Sequence, residues 1–439
     1  MFPNTTDVKI IKSDPISAFG GANFVFDYLN KMNIDQICND ALPVLASQSR
    51  YSWKDIFYSL KTVYLCGGDY IEDLQTHLKA HFASNPYVKL ASPDTVLRRL
   101  SQLAEQPQTC RTKRGVVTHQ YCTNPKLEGL NMDILKKLGV FKADTLTIDY
   151  DNTIVFNEKQ DSKMTYKKDY GYQPGVCTIN EEHILYIENR NGNSDAKSFQ
   201  ADTLERVFDL LDSKKVKKID CFRADAASYQ YDVISLLQEK VDKFYIGCRN
   251  SYVEKYFTQV IHWEEMKGKE KDETMEVGSI MIVPFQSQAR ANGLEAQTYR
   301  LVVKRKSKKD GQMNLFTQDA YDYRAILTND FDKDTKSVAA FYNQRGNMER
   351  QFDILKNDFG WNNMPFSSLK KNHVFLYFTA MYRNLYNSII QCFSERNKFL
   401  KPSFRMKKFI FRFITLPAKW VKQSRQLKLR IYTSKDYQT

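Results

Sequence analysis

The chain has 439 residues, carries 65 Lys and Arg against 51 Asp and Glu for a formal charge of +14, and has aromatic rings at 13% of its positions. Such a length implies two or three structural units, each with a core large enough to fold without disulfide or metal staples. Positive charge with abundant rings suits a polyanion, nucleic acid first, although charge alone fits a merely soluble basic protein equally well.

The eight cysteines (Cys38, Cys66, Cys110, Cys122, Cys177, Cys221, Cys248 and Cys392) are scattered, with no close pairs and no His at zinc-binding spacing. This argues against a stapled secreted scaffold or zinc finger and for reduced thiols. The N-terminus lacks a basic segment followed by an apolar core, and the most apolar late stretch, His373 to Ile390, contains Arg383 and Asn384. Neither a signal peptide nor a membrane span is expected.

From Ala22 to about Leu103 apolar residues recur at helical spacing, as in Trp53, Ile56, Phe57, Leu60 and Val63, and about four helices are expected. Ser92-Pro93-Asp94 is a helix start: Ser caps, Pro suits the first position and Asp favours the positive dipole end. The helix it opens sets Arg98 and Arg99 beside Val96, Leu97, Leu100 and Leu103, which fits either a helix-turn-helix-like DNA contact or a solvated charged face. His77 and His81 lie one turn apart but have no third ligand nearby, so they read as surface or packing residues.

After a linker and short helix over residues 124–139 the period changes to two. Leu146, Ile148 and Tyr150 alternate with Thr147, Asp149 and Asp151, which predicts a strand. Further strands are expected near Gly175–Ile179, His183–Glu188, Lys217–Phe222 and Lys243–Cys248, with helices over Phe199–Leu211 and Tyr229–Leu237. This order predicts a mixed α/β sheet. Residues 251–329 interrupt it with more β-like runs, a long helix is expected from Asp334 to Asn357, and the rest reads as helical and basic. Between Glu395 and Asp436 lie thirteen Lys or Arg, among them Arg405, Lys407, Lys408, Lys419, Lys422 and Lys435, interleaved with rings that include Phe409, Phe413 and Trp420. Such a stretch packs through its rings and offers its charges to phosphates. The expected regions are 1–139, 140–250, 251–329, 330–365 and 366–439.

Strands disfavour Asp, and paired carboxylates repel, so Asp149 and Asp151 on one strand face call for a cation nearby. Asp225 follows another strand, where open α/β sheets gather their ligand sites, though capping the next turn would also explain it. On a continuous helix Tyr342, Arg345, Glu349 and Lys356 fall within an arc of roughly 60°. This stripe would aim Glu349 at the strand ends; the alternative is an Arg345–Glu349 surface ion pair of little consequence. Asp151, Asp225 and Glu349 together would form an oxygen-only site for two Mg²⁺ ions about 3.5 to 4 Å apart, suited to phosphodiester chemistry. Asp149 is the other candidate for the first metal ligand. Arg345 and Lys356 would steady phosphates, and Tyr342 would hold a DNA backbone or end.

Tyr342-x2-Arg345-x3-Glu349-x6-Lys356 resembles the Y-R-E-K signature of bacterial insertion-sequence transposases of the DDE class, and all four positions match. Asp151-Asn152-Thr153 looks like that family's first catalytic Asp, which favours Asp151 over Asp149, and Arg223-Ala224-Asp225 resembles its second motif. The resemblance implies a ribonuclease H-like catalytic domain whose second Asp and Glu are separated by a β-rich insertion, flanked by helical N-terminal and C-terminal regions. It further implies Mg²⁺, with Mn²⁺ as a substitute, and double-stranded DNA partners, both terminal inverted repeats and target. A homodimer would pair two DNA ends in a cytoplasmic, nucleoid-associated protein, cutting the ends and joining their 3′-hydroxyls to target DNA. In some relatives an aromatic of the insertion holds a flipped base; Trp263 is the candidate here, with strand packing as its other explanation. A nuclease of the same fold without strand transfer, and a catalytically silent DNA-binding regulator, share parts of this pattern.

Overall fold

The alternation around Asp151 does form a strand, and it lies near the middle of an eleven-stranded sheet. The computed structural model describes residues 12–433 apart from 14, 112–116, 268–273, 309–311 and 314–316; Lys435 lies outside the described residues. Five strands organise the centre: β1 (Thr147–Asn152), β2 (Gly175–Ile179), β3 (His183–Arg190), β4 (Ile219–Ala224) and β5 (Val241–Cys248). β3, β2 and β1 form an antiparallel meander, while β1, β4 and β5 run parallel. Helix α1 (Gln200–Ser213) leads from β3 to β4 and helix α2 (Tyr231–Lys240) from β4 to β5. This is the expected mixed, ribonuclease H-like order. Its core is built from alternating residues such as Ile148, Tyr150, Phe222, Ala224, Phe244 and Ile246, with Leu204, Val207 and Leu237 of the helices.

The inserted region extends this sheet rather than forming a separate one. Strands β6 (Glu264–Lys267), β7 (Thr274–Ile282), β8 (Tyr299–Ser307) and β9 (Tyr321–Thr328) continue antiparallel from β5 in the order β9, β8, β7, β6. At the opposite edge a hairpin of Gln108–Arg111 and Thr118–Cys122 pairs with β3 through Tyr121 and Cys122. Residues 104–139 therefore belong with the sheet, although the helical pattern before them places the expected boundary at 139.

The expected long helix is interrupted. Helix α3 (Thr335–Asn343) and helix α4 (Asn347–Asp358) are separated by a tighter turn, Gln344–Gly346. Gly346 lacks the side-chain packing that would favour an uninterrupted helix, and the change of winding shifts Tyr342 relative to Glu349, so the arc drawn on a continuous helix does not carry across the break. Helix α5 (Leu369–Arg396) is apolar on nearly every side because it is buried. Its internal polar groups complete the open edge of β3. Asn384 Oδ1 accepts from Ile184 N at 2.7 Å and its Nδ2 donates to Ile184 O at 2.8 Å, while Tyr377 Oη accepts from Ile187 N at 3.1 Å. Among the described residues no helix is long and apolar enough to cross a membrane.

The chain divides into two compact units, Ala104–Asn357 with Phe366–Asn384, and Met1–Leu103 with Asp358–Pro365 and Leu385–Thr439. In the second unit the tail joins the N-terminal helices: Ser17 pairs with Ala418, and a Cβ on Gly21 would lie 2.0 Å from Phe413 O. Helix Pro93–Gln102 starts as expected, with Ser92 accepting from Thr95 N. The basic tail departs from the all-helical expectation after Ile414. Pro417 cannot continue a helix, and Ala418–Gln423 and Gln426–Ile431 form a hairpin turning through Ser424 and Arg425, at φ 51° and 62°. Lys419 and Lys422 are therefore strand residues.

Candidate active site

Asp149 pairs with Arg223 and Tyr150 with Ala224 across the parallel strands β1 and β4. One step further along that register are Asp151, the next residue of β1, and Asp225, the first after β4. The two acids thus share the carboxyl ends of neighbouring parallel strands, beside the point where the chain order reverses, which is where open α/β sheets bind ligands. Asp225 also accepts from Ala227 N at 2.9 Å, so capping and proximity to Asp151 coexist.

The cation demanded by two same-face acids is present twice. Arg223, 0% exposed, donates Nε to Asp149 Oδ1 at 2.7 Å and Nη2 to Asp149 Oδ2 at 2.8 Å, and Asp149 is 1% exposed. Both oxygens of Asp149 are thereby engaged by one guanidinium, while Asp151 Oδ1 accepts from Asn152 N at 2.8 Å. Arg345 Nη1 donates to Asp151 Oδ2 at 3.0 Å. Burial first, and the Asp225 charge second, push the Asp151 carboxyl up to about 6, with Arg345 pulling the other way. Arg345 thus turns to Asp151 instead of forming the surface pair with Glu349 that its spacing also allowed.

Glu349 is exposed on α4, with no hydrogen bond or ion pair among the described residues. Its helix is registered against the sheet by Met348, whose Sδ accepts from Thr178 Oγ1 at 2.9 Å, and by Gln351, whose Nε2 donates to Glu181 O at 3.1 Å. The Arg345 contact lies before Glu349 on the chain. Lys356 lies after it, with Nζ donating to Ile154 O at 2.7 Å. These two contacts bracket the end of β1, and Glu349 sits between them. Tyr342 Oη donates to Ala224 O at 3.3 Å, and a Cβ on Gly247 would come within 2.4 Å of that oxygen. Gly247 is glycine because the tyrosine tip rests on it.

The donors are all carboxylate oxygens, and the neighbouring pair is short of positive charge, which suits a hard divalent cation. Asp151 and Asp225 would hold it and Glu349 would complete the set. Among the described residues no three acidic, His or Cys side chains stand together closely enough to enclose an ion.

Other candidates are more dispersed. Trp263 stacks with the Arg305 guanidinium 3.9 Å from its ring centroid and donates Nε1 to Val260 O at 3.0 Å, a strand-packing arrangement. Arg405 makes a two-pronged ion pair with Asp358, at 2.9 Å for both Nε and Nη2, so its guanidinium is occupied within its own unit. Lys407, Lys408 and Lys422 are exposed, and Lys419 donates to Ser13 Oγ at 3.1 Å. Arg98 and Arg99 line an open groove of about 1300 Å³ with Arg50, Lys54, Lys79 and Lys89, although Arg99 also donates to Ser49 Oγ at 2.9 Å. Sequence reasoning missed Arg223 and Glu181. The available signal was a charge two residues before each acid, Asp149 before Asp151 and Arg223 before Asp225.

The fold is a large mixed α/β sheet of ribonuclease H-like strand order with two acids at neighbouring parallel strand ends. A family model described as transposase DDE domain group 1 matches residues 13–439, and the chain belongs to that family of DDE transposases. Proteins of this kind generally work with divalent metal ions. No curated protein matches the chain. Among solved structures the chain is similar to the piggyBac transposase in a cryo-EM structure of its synaptic complex with hairpin DNA. The identity is 11% and the TM-score 0.41, over 89% of this chain and 77% of that one.

Proposed function

We propose that this protein cuts DNA at the ends of its own mobile element and joins the freed 3′-hydroxyls to target DNA, as an insertion-sequence transposase carrying the Y-R-E-K signature. The observation that carries this reading is the juxtaposition of Asp151 and Asp225 at neighbouring parallel strand ends, with Arg345 against Asp151. Asp151, Asp225 and Glu349 are the metal-holding residues of the proposal, and Asp149 positions Arg223 behind them. Two Mg²⁺ ions, or Mn²⁺ in their place, would activate the attacking water or 3′-hydroxyl and stabilise the leaving oxygen.

Arg345 and Lys356 flank the strand end and serve phosphates of the DNA end when it arrives, Arg345 exchanging its carboxylate partner for a phosphate. Tyr342 supports the Asp225 turn through Ala224 and would steady the DNA backbone. Arg98 and Arg99 of the N-terminal groove, with Lys407, Lys408, Lys419 and Lys422 of the tail, supply sequence-independent phosphate contacts to double-stranded DNA. The active form is a homodimer on two terminal inverted repeats, working on the bacterial nucleoid. The test is incubation with duplex DNA carrying the sequences that flank the reading frame: Mg²⁺-dependent nicks at the element boundary support the reading, and intact DNA under both Mg²⁺ and Mn²⁺ refutes it.

A further inference from the structure

We infer that Arg223 and Glu181 are positioning residues that lock the three carboxylate-bearing elements into one register. This rests on the proposed roles of Asp151, Asp225 and Glu349. Arg223 lies two residues before Asp225, and its guanidinium holds Asp149, two residues before Asp151. The same guanidinium reaches the break between α3 and α4, with Nη1 donating to Phe341 O at 2.9 Å and to Gln344 Oε1 at 3.1 Å. Its Nη2 also donates to Glu181 Oε1 at 2.9 Å. Glu181 Oε2 in turn accepts from Asn347 Nδ2 at 2.5 Å, and Asn347 lies two residues before Glu349. A planar fork with five donors is suited to such branching, and lysine cannot reproduce it.

Two further features single out Glu181. It and Asn180 form the tight turn between β2 and β3 and hold the left-handed backbone region, at φ 66° and 50°, which fixes where the Glu181 side chain leaves the hairpin. Its carbonyl oxygen also receives Gln351 Nε2, and Gln351 Oε1 accepts from Arg383 Nε of α5 at 3.1 Å. Glu181 therefore grips α4 on both sides of Glu349, while its carboxylate ties that helix to the strand that carries Asp225.

The experiment uses the full-length chain with Glu181→Ala, Glu181→Gln and Asn347→Ala, each first checked for unchanged thermal unfolding. Mn²⁺ affinity is then measured by calorimetry without DNA, and kcat and KM are measured for Mg²⁺-dependent end cleavage. Glu181→Ala is expected to weaken Mn²⁺ binding by about 10-fold or more, the effect typical of losing a group behind a metal ligand, and to lower kcat with KM for DNA unchanged. Glu181→Gln, which keeps a carbonyl acceptor, should recover most of both. Adding Asn347→Ala to Glu181→Ala should cost nothing further, because both cut the same link. Unchanged Mn²⁺ affinity in Glu181→Ala, or a loss that follows unfolding and is not repaired by Gln, overturns the inference. Wild type that binds Mn²⁺ without cutting DNA refutes the proposed reaction and leaves the affinity series to decide the positioning role. Wild type that binds no Mn²⁺ overturns both.

Discussion

Arg345 donates from Nη1 to Asp151 Oδ2 at 3.0 Å, and the Asp225 charge is close enough to help push the Asp151 carboxyl up to about 6. The guanidinium offsets the repulsion of two neighbouring acids in the metal-free protein and leaves little open carboxylate for stray cations.

Arg345→Met should therefore lower the stability of the metal-free protein by about 1.5–3 kcal/mol, the range for a hydrogen bond to a charged group. Because metal would then relieve an unshielded pair, Mn²⁺ should raise the melting temperature of the variant more than that of wild type. Differential scanning fluorimetry across a Mn²⁺ series reads this directly. Equal Mn²⁺ shifts in the two proteins would show that Arg345 does not stand in for the cation.

Glu349 is exposed and makes no bond among the described residues, so Glu349→Gln should change folding stability by no more than about 0.5 kcal/mol. DNA binding should remain and cleavage should disappear. A variant that loses binding and folding together would assign Glu349 a structural role. Circular dichroism melts beside a gel-shift and a cleavage assay separate the outcomes.

Lys407 and Lys408 are exposed, whereas Arg405 is paired with Asp358. Replacing the two lysines with Ala should make the dependence of log affinity on log salt shallower by up to about 2, as loss of two phosphate contacts requires. Arg405→Ala should instead lower stability, because it strands Asp358, which is largely buried. An unchanged salt slope in the lysine variant would remove this surface from the DNA footprint.

His373 is 1% exposed, and neither ring nitrogen has a hydrogen-bond partner among the described residues. Burial pushes it from 6.5 down to about 3, and burial with the nearby Arg383 charge pushes His183 from 6.5 down to about 4. Both folded values are depressed, so the unfolded chain takes up protons first. Stability is fully present above about pH 6.5 and is lost as pH falls toward 4. Denaturant midpoints at about pH 7.5 and about pH 5 should differ less in His373→Phe than in wild type. Equal differences would show that His373 does not titrate on unfolding.

Much of the central sheet was legible because strand periodicity is local: alternation over Leu146 to Asp151 and the acid after Phe222 mark β1 and β4 without knowledge of their partners. The strand-end acids followed from the same pattern. Features that depend on distant partners were not legible. Arg223 reads as an ordinary part of Arg223-Ala224-Asp225 until the parallel register sets it against Asp149. The break at Gln344–Gly346 is hidden by residues that propagate a helix well on either side. Asn384 reads as a flaw in an apolar helix until the open edge of β3 shows what it satisfies. The terminal hairpin was missed because basic residues and rings recur there at spacings that suit helix and strand alike.

The most direct measurement is Mg²⁺-dependent cleavage and joining of DNA carrying the flanking sequences, by wild type and by Asp225→Asn, which keeps an acceptor for Ala227 N and so preserves the turn. Wild type should cut at the boundary and join the 3′-ends, while Asp225→Asn should bind the same DNA and do neither. Equal cutting by both proteins, or binding without cutting by both, would contradict this expectation.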